Sequence, residues 1–269
     1  MLEIKKINDV TMAYGTTGPK GSAMSVAVYV IDGLLIDTGS QSLLPDFIPF
    51  FKANDFEKAV LTHYHEDHSG GAKWLQEHLA IPLYCNPISV ETFGKEAEYP
   101  EYRHAIWGAR EAFKAVPLEE AFSSRKEKWR AIFTPGHAFD HLVFLNESRG
   151  AVFSGDLYVT PRTKLMLREE SVPEIIDSIH RLLEFDFGEI YCSHAGHIPN
   201  GKEMFRRKLE YLENLQGKVI QMDQKGWTAA EIQQSLFPRK YPLIDISEGE
   251  WDSLHIITSI LKRNGSVYE

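Results

Sequence analysis

Residues 62–71 read T-H-Y-H-E-D-H-S-G-G and place three histidines and one aspartate within six positions. Imidazole nitrogens and carboxylate oxygens are ligands that zinc, iron and manganese accept. On an extended loop, His63 and His65 project to the same side and could share one metal. Asp67 and His68 lie where the chain turns into a helix and could face a neighbouring metal. The motif therefore predicts a metal site.

Further candidate ligands follow later strand-like runs, far away in sequence. They are His137 in T-P-G-H, Asp156 in F-S-G-D and His194 in C-S-H-A-G-H. His197, three residues beyond His194, is an alternative to it. Loops at one edge of an α/β fold meet in space, so these side chains could join those of residues 62–71. Taken alone, each of these residues would more often be a loop or core residue than a metal ligand. Together with those of residues 62–71, they supply two sets of nitrogen and oxygen ligands.

A ligand set of this size predicts two divalent metal ions that activate water. One metal would leave ligands spare, whereas two metals about 4 Å apart use them all, with an aspartate bridging both ions. Zinc is the favoured metal, and iron or manganese would also accept these ligands. The remaining histidines stand in helical or strand contexts that favour structural roles: His78, His104, His141, His180 and His255.

Strand-like and helical patterns alternate along most of the chain, which predicts the α/β class. Residues 94–128 interrupt this order with a charged, aromatic-rich helical pattern, which predicts a helical insertion that could act as a lid or cover the core. After residue 201 the chain becomes mainly helical, and Thr228 with Glu231 forms a capping-box pattern. Since no linker precedes this tail, we expect a domain at 1–202 and a helical extension at 203–269 packed on it.

Composition narrows the classes of function. The 269 residues include 43% hydrophobic residues, enough for a substantial core, and carry a formal net charge of -9. That charge disfavours nucleic acid as a substrate and favours a small molecule. No apolar run approaches the roughly 20 residues of a membrane span, and no secretory signal is visible, so a cytoplasmic protein is expected. Cys85 and Cys192 are expected to be buried thiols. The sequence pattern does not specify an oligomeric state.

The pattern H-x-H-x-D-H, followed by the distant His, Asp and His, resembles that of the metallo-β-lactamase superfamily. The resemblance covers roughly residues 22–202. It includes L-I-D-T-G at residues 35–39, which looks like the family's first motif, and residues 194–201, which resemble its last histidine motif. The resemblance implies an αββα four-layer sandwich, with the metal site at one edge of the two sheets and a mainly helical C-terminal appendage.

The resemblance also implies roles for individual residues. It gives the first metal to His63, His65 and His137, the second to Asp67, His68 and His194, and the bridging position to Asp156. Asp37 would lie behind the ligands and support them. Asp67 would orient an attacking hydroxide shared by the metals. Tyr158, two residues beyond Asp156, could donate a hydrogen bond to the developing oxyanion or could simply pack in the core.

Hydrolysis of a small ester, thioester or lactone is the leading functional hypothesis, since the motifs are similar to those of the glyoxalase II and lactonase branches. A second hypothesis is a mononuclear iron oxygenase acting on a persulfide through His63, His137 and Asp156. A third is a phosphodiesterase or nuclease, which the acidic charge disfavours. The last is a binding protein without catalysis, although ligand loss would be expected there and all seven ligand positions are filled.

Overall fold

The computed structural model describes residues 2–18 and 23–263. The strands are β1 Glu3–Ile7, β2 Val10–Thr17, β3 Met24–Ile31, β4 Leu34–Ile36, β5 Lys58–Val60, β6 Leu83–Cys85, β7 Val116–Pro117, β8 Ala121–Ser123, β9 Lys128–Phe133, β10 Leu142–Asn146, β11 Ala151–Gly155, β12 Met166–Leu167, β13 Glu189–Cys192, β14 Gly196–Ile198 and β15 Trp251–Asp252. The helices are α1 Leu44–Ala53, α2 Glu66–Ser69, α3 Ala72–His78, α4 Val90–Phe93, α5 Glu101–Trp107, α6 Val172–Leu183, α7 Gly201–Asp223, α8 Ala229–Leu236, α9 Pro242–Ile246 and α10 Leu254–Arg263.

The strands form two large mixed sheets and one small ribbon. In the first sheet, β1 to β7 lie side by side in sequence order, antiparallel as far as β4 and parallel from there on. The order in the second sheet is β14-β13-β11-β10-β9-β8, with β11 and β13 parallel. Parallel neighbours need a long crossover, and here helix α6 provides it. Strands β12 and β15 pair as the ribbon.

Strand β3 shows how the sequence places the two sheets face to face. Side chains alternate along a strand, and in β3 both sets are apolar, so both faces must be covered. Val26 and Val28 pack outward against Phe47 of α1. Tyr29 points the other way, where its ring centroid lies 5.3 Å from that of Phe153 in β11. The first sheet is therefore covered by helices on one side and by the second sheet on the other.

The second sheet is covered on its outer face by four helices. Val152 of β11 and Ile190 of β13 share one buried cluster with Ile179 of α6 and Phe205 of α7, and residues of α8 and α10 complete it. The layer order is helices, sheet, sheet, helices, so the predicted αββα architecture is confirmed. Cys85 and Cys192 are both buried, as expected.

Two expectations about segments need correction. The helical insertion predicted over residues 94–128 is wrong in extent, because only Glu101–Trp107 forms a sizeable helix there. Strands β7 and β8 of this stretch extend the two sheets and are too short to show an alternating pattern. The predicted boundary at residue 202 falls inside α7, which begins at Gly201. Since Phe205 shares its core with Ile190, we propose that residues 203–263 fold as the outer layer of the same domain.

Within residues 2–18 and 23–263, no helix combines the length and the apolar character that crossing a membrane would require.

Candidate metal centre

The predicted ligands lie at the ends of strands along one edge of the sandwich. Asp37 follows β4, His63 follows β5 and Asp156 follows β11, while His137 lies between β9 and β10 and His194 between β13 and β14. Strand ends of packed sheets meet at a common edge, so residues more than 100 positions apart become neighbours. The structure brings all seven predicted ligands into three overlapping groups: His63, His65 and His137; His63, His68 and Asp156; Asp67, His68 and His194.

The S-G-G end of the motif lets the ligand-bearing turn lie directly against the loop after β4. Helix α2 begins just after His65, whose carbonyl accepts a hydrogen bond of 2.8 Å from the Ser69 hydroxyl. A Cβ atom on Gly70 would lie 2.5 Å from the Gln41 nitrogen, and one on Gly71 would lie 2.5 Å from the Thr38 carbonyl oxygen. Only glycine fits at both positions, so these residues fix where Asp67 and His68 sit.

The first ligand group has the spacing of a tetrahedral metal site. His65 Nδ1 lies 3.0 Å from His63 Nε2 and 3.1 Å from His137 Nε2. Ligand atoms about 2.1 Å from a tetrahedral zinc lie about 3.4 Å from one another. The three nitrogens are therefore close to the positions that one metal requires.

The group of Asp67, His68 and His194 has similar spacing. Asp156 lies between this group and the group of His63, His65 and His137. Asp67 Oδ2 is 3.5 Å from His68 Nε2 and 3.4 Å from His194 Nε2. Asp156 Oδ1 is 3.4 Å from His68 Nε2, and its Oδ2 is 2.9 Å from His194 Nε2 and 3.4 Å from His137 Nε2. One carboxylate thus faces both groups, as a bridging ligand would.

Two buried ligand atoms have no hydrogen-bond partner among residues 2–18 and 23–263. They are His68 Nε2 and Asp156 Oδ1. Leaving a buried polar atom unpaired costs about 1–3 kcal/mol, so such an atom is usually paired with a water molecule or an ion. Both atoms belong to the same ligand group. Imidazole and carboxylate donors at this spacing fit a divalent metal ion.

The second nitrogen of each of the five candidate ligand histidines is held by another group. These contacts join His63 Nδ1 to Thr62 Oγ1 at 3.0 Å, His65 Nε2 to Glu169 Oε1 at 2.9 Å, His68 Nδ1 to Asp37 Oδ2 at 2.8 Å, His137 Nδ1 to Glu170 Oε1, and His194 Nδ1 to the Ser25 carbonyl oxygen. Partners of this kind fix the ring orientation and make the free nitrogen a stronger ligand. The five imidazoles are therefore already aimed at the cluster.

Asp37 lies behind the ligands, at the position that the L-I-D-T-G motif predicted. Its carboxylate accepts hydrogen bonds from the Thr62 backbone nitrogen at 2.8 Å and from the Ser193 hydroxyl at 3.2 Å, besides its contact with His68. Its backbone φ is +57°, an unusual value for a residue with a side chain. Asp37 therefore joins the β4, β5 and β13 loops beneath the cluster.

Glu169 and Glu170 were missed by sequence reasoning. They follow β12 and lie 104 and 33 residues from the histidines that they contact. An adjacent pair of glutamates is common on protein surfaces, and the only signal here was its position just before Ser171, the N-cap of α6. His141 has a structural role, as expected: its Nε2 accepts a 3.0 Å hydrogen bond from the Asp156 backbone nitrogen.

Two further candidates lie away from the cluster. His197 Nε2 lies 2.7 Å from Glu189 Oε2, and its ring contacts that of Tyr191. His194, and not His197, therefore reaches the ligand group. The ring of Tyr158 packs against Phe205 in the hydrophobic core, with centroids 5.4 Å apart, and does not line the cavity described below.

The electrostatics of the cluster follow from burial and from close opposite charges. Burial alone would lower the pKa of His194, but Asp156 and Asp67 outweigh it and raise the pKa to about 9. Burial would raise the pKa of Asp156, but His194 and His68 hold it well below its ordinary value. Burial also lowers the pKa of His63, and His68 adds to that shift. Metal binding would displace the proton from His194 and use the ionised carboxylate of Asp156.

A cavity of about 620 Å³ opens onto the cluster. His65, Asp67, His137, Asp156 and His194 form its metal-facing side. Other parts of its wall are formed by apolar side chains, among them Trp107, Met166, Leu167 and Trp251, and by the basic side chains of Arg103, Arg162, Lys164 and Lys208. A small molecule with an apolar portion would fit beside the ligand groups.

Comparisons with known proteins agree with this geometry. A model of the metallo-beta-lactamase superfamily matches residues 21–221. The lactamase-like protein adaB of Aspergillus niger is 26% identical over 196 residues, which cover 70% of this chain and 53% of that protein. The chain thus spans about half the length of that relative. An atrochrysone carboxyl ACP thioesterase of Aspergillus fumigatus is 26% identical over 161 residues, covering 60% of this chain and 45% of the thioesterase.

A solved structure shows the same fold. A metallo-beta-lactamase family protein from Thermus thermophilus superposes with a TM-score of 0.69 over 96% of this chain and 95% of that one, at 19% identity. The match extends over the helical tail as well as over the two sheets.

Proposed function

The chain belongs to the metallo-beta-lactamase superfamily, and on that premise we propose that it is a hydrolase using two divalent metal ions on a small thioester, ester or lactone. The observation that carries this proposal is the buried pair His68 Nε2 and Asp156 Oδ1, 3.4 Å apart and without hydrogen-bond partners in the described chain. Zinc is the favoured metal because the donors are imidazoles and carboxylates at tetrahedral spacing.

Each ligand has a place in this assignment. His63, His65 and His137 would hold the first ion, and Asp67, His68 and His194 the second. Asp156 would contact both, since its two oxygens face different groups. The second trio supports two ions over one, because a mononuclear iron site built on His63, His137 and Asp156 would leave the buried His68 Nε2 without a metal and without a hydrogen bond among the described residues.

When bound, the metals would supply a water of near-neutral pKa and a Lewis acid for the substrate carbonyl. The side chains of the protein would orient the attacking water and the ligand imidazoles. Asp67 belongs to the second ligand group and also lines the cavity, so its carboxylate is placed to accept a hydrogen bond from the attacking water. Glu169 and Glu170 hold the imidazoles of His65 and His137 in place. Tyr158 has no part in this mechanism because its ring packs in the core.

A thioester is the first substrate class to test. One relative bears the name of an ACP thioesterase, and the motifs T-H-x-H-x-D-H and T-P-G-H are similar to those of glyoxalase II. The wall formed by Trp107, Met166 and Leu167 offers apolar surface to an acyl chain. A sulfur leaving group also needs little protonation when it departs, so a thioester makes few demands on a general acid.

The test is a substrate screen with zinc-loaded protein. S-hexanoyl-N-acetylcysteamine, p-nitrophenyl butyrate and γ-butyrolactone represent the three classes, and thiol release, nitrophenolate release and acid release are the readouts. We expect thioester hydrolysis that the Asp156→Ala variant and chelation both abolish. Turnover of none of the three compounds by protein holding two metals per chain would contradict the proposal, and iron-dependent oxygen consumption with a persulfide would replace it.

A further inference from the structure

Lys208 is a buried lysine in the wall of the cavity. It lies on helix α7, in the tail beyond the strand-end loops, and only 5% of its surface is exposed. Lysine is rarely buried to this degree unless a carboxylate pairs with it. Lys208 lines the same cavity as Asp156 and His194. A cationic group is therefore held at a defined depth beside the metal centre.

The Lys208 ammonium has unused hydrogen-bonding capacity. Its Nζ donates one hydrogen bond of 2.7 Å to the Leu157 carbonyl oxygen and lies 5.9 Å from the centroid of the Tyr158 ring. An ammonium has three N–H donors. Within residues 2–18 and 23–263, Lys208 forms no ion pair with a carboxylate, and its Nζ contacts are the Leu157 carbonyl oxygen and the Tyr158 ring. Burial of this kind is unfavourable without a compensating anion, and it lowers the pKa of Lys208.

The nearest acidic side chains already have other partners. Glu170 contacts His137 Nδ1 through one oxygen, and its other oxygen accepts a hydrogen bond from the Leu167 nitrogen. Asp156 belongs to the ligand groups. The hydrogen bond to the carbonyl of Leu157, the residue after Asp156, holds Lys208 close to the candidate metal centre. The part of the chain that the structure describes does not supply a free carboxylate to pair with it.

We propose that Lys208 binds a carboxylate at the far end of the acyl group, which makes acidic acyl thioesters the preferred substrates. This inference rests on the proposed hydrolase function and deepens it. In the reaction, water adds to the thioester carbonyl and the thiol leaves with a proton, while Lys208 forms no covalent bond. Its contribution is an ion pair made by a buried ammonium, and buried pairs are stronger than pairs at the surface.

Binding can be measured without turnover. Adipate and hexanoate have equal chain lengths and differ in one terminal carboxylate, and isothermal titration calorimetry with zinc-loaded protein gives the affinity for each. We expect adipate to bind at least about tenfold more tightly than hexanoate to the wild type. Lys208→Met should remove this preference and leave hexanoate binding unchanged. Equal affinities in the wild type, or a preference that survives in Lys208→Met, would overturn the inference.

Kinetics with S-adipyl- and S-hexanoyl-N-acetylcysteamine give a second readout. Lys208→Met should raise KM for the adipyl substrate at least about tenfold, with kcat and the hexanoyl reaction unchanged, and Lys208→Arg should keep part of the preference. Equal loss of both reactions would show a structural role and contradict the inference. If neither thioester is cleaved while adipate binding still depends on Lys208, the hydrolase proposal fails and the anion site stands.

The variants have suitable controls. Methionine keeps the apolar stem of lysine, so Lys208→Met should unfold at a temperature at or above that of the wild type. Lys218 lies on the same helix but is exposed, and Lys218→Met should leave both substrates and both acids unaffected.

Discussion

Arg103 of helix α5 donates two hydrogen bonds of 2.6 Å to the carboxylate of Glu66, the residue between His65 and Asp67. The pair is buried, with the side chains 10% and 2% exposed. Arg103 also lies 3.3 Å from Glu250, just before β15. One guanidinium thus joins the ligand-bearing helix α2, helix α5 and the C-terminal segment. Helix α5 is therefore joined by this ion pair to the candidate metal centre, which argues against a freely moving lid.

Breaking this pair should destabilise the protein. Arg103→Met should lower the free energy of unfolding by about 3 kcal/mol, because it leaves Glu66 buried without its opposite charge. Glu66→Gln should lower it by less, because Arg103 keeps Glu250 as a partner at 3.3 Å. The double variant Glu66→Gln with Arg103→Met should lose less than the sum of the two single variants. Urea unfolding of zinc-loaded protein measures all three. Strictly additive losses would show that the two residues act independently.

Changes to the ligands should remove metal and activity together. His65→Ala and Asp156→Ala each delete a ligand atom from one or both groups, so bound metal should fall below two ions per chain. His197→Ala is the matched control, because His197 contacts Glu189 and lies outside the groups. It should retain both ions. Full metal content and full activity in either ligand variant would refute the assignment.

The glutamates behind the histidines should tune metal affinity. Glu169→Gln and Glu170→Gln keep the size of the side chain but remove its charge, and each should weaken zinc binding about 10–100-fold. Competition with a chromophoric chelator measures this. Glu213→Gln is the control, since Glu213 contacts the exposed His180. If all three variants bind zinc equally well, these carboxylates have no effect on the ligands.

Gly155 should be irreplaceable at the turn that carries Asp156. Its φ is +47°, and a Cβ atom there would lie 2.6 Å from His141 Nε2 and 3.0 Å from Thr62 Cβ. Gly155→Ala should therefore displace Asp156 and lower both the melting temperature and zinc affinity. Gly188→Ala is the control, because nothing lies within 4 Å of its added Cβ. Similar behaviour of the two variants would contradict the assigned backbone constraint.

The grouping of the candidate ligands could be predicted from the sequence largely because these residues follow strand ends and four of them share one short loop. The groups that support it could not, since their contacts are made only by the folded chain. His65 meets Glu169 across 104 positions, and Arg103 meets Glu66 across 37. Glutamate, arginine and lysine are common surface residues, so nothing local marks Arg103 or Lys208 as buried, or Glu169 as a partner of His65.

The fold also contains elements that the sequence predicts and elements that depend on tertiary contacts. Strand β3 was predictable because both of its faces are apolar, which is typical of a strand covered on both sides. Strands β7 and β8 were not, because two or three residues cannot show a period and their pairing comes from neighbouring strands. The helical tail was expected from its caps and periodicity, but its sharing of a core with β13 is a tertiary property.

The most direct test of the two-metal centre is the metal content of the protein, measured by elemental analysis after purification without chelators and again after reconstitution with zinc. The account predicts two zinc or manganese ions per chain in the wild type and about one in His194→Ala, which loses a ligand of the second group only. A wild-type chain that holds a single iron, or no metal even after reconstitution, would contradict it.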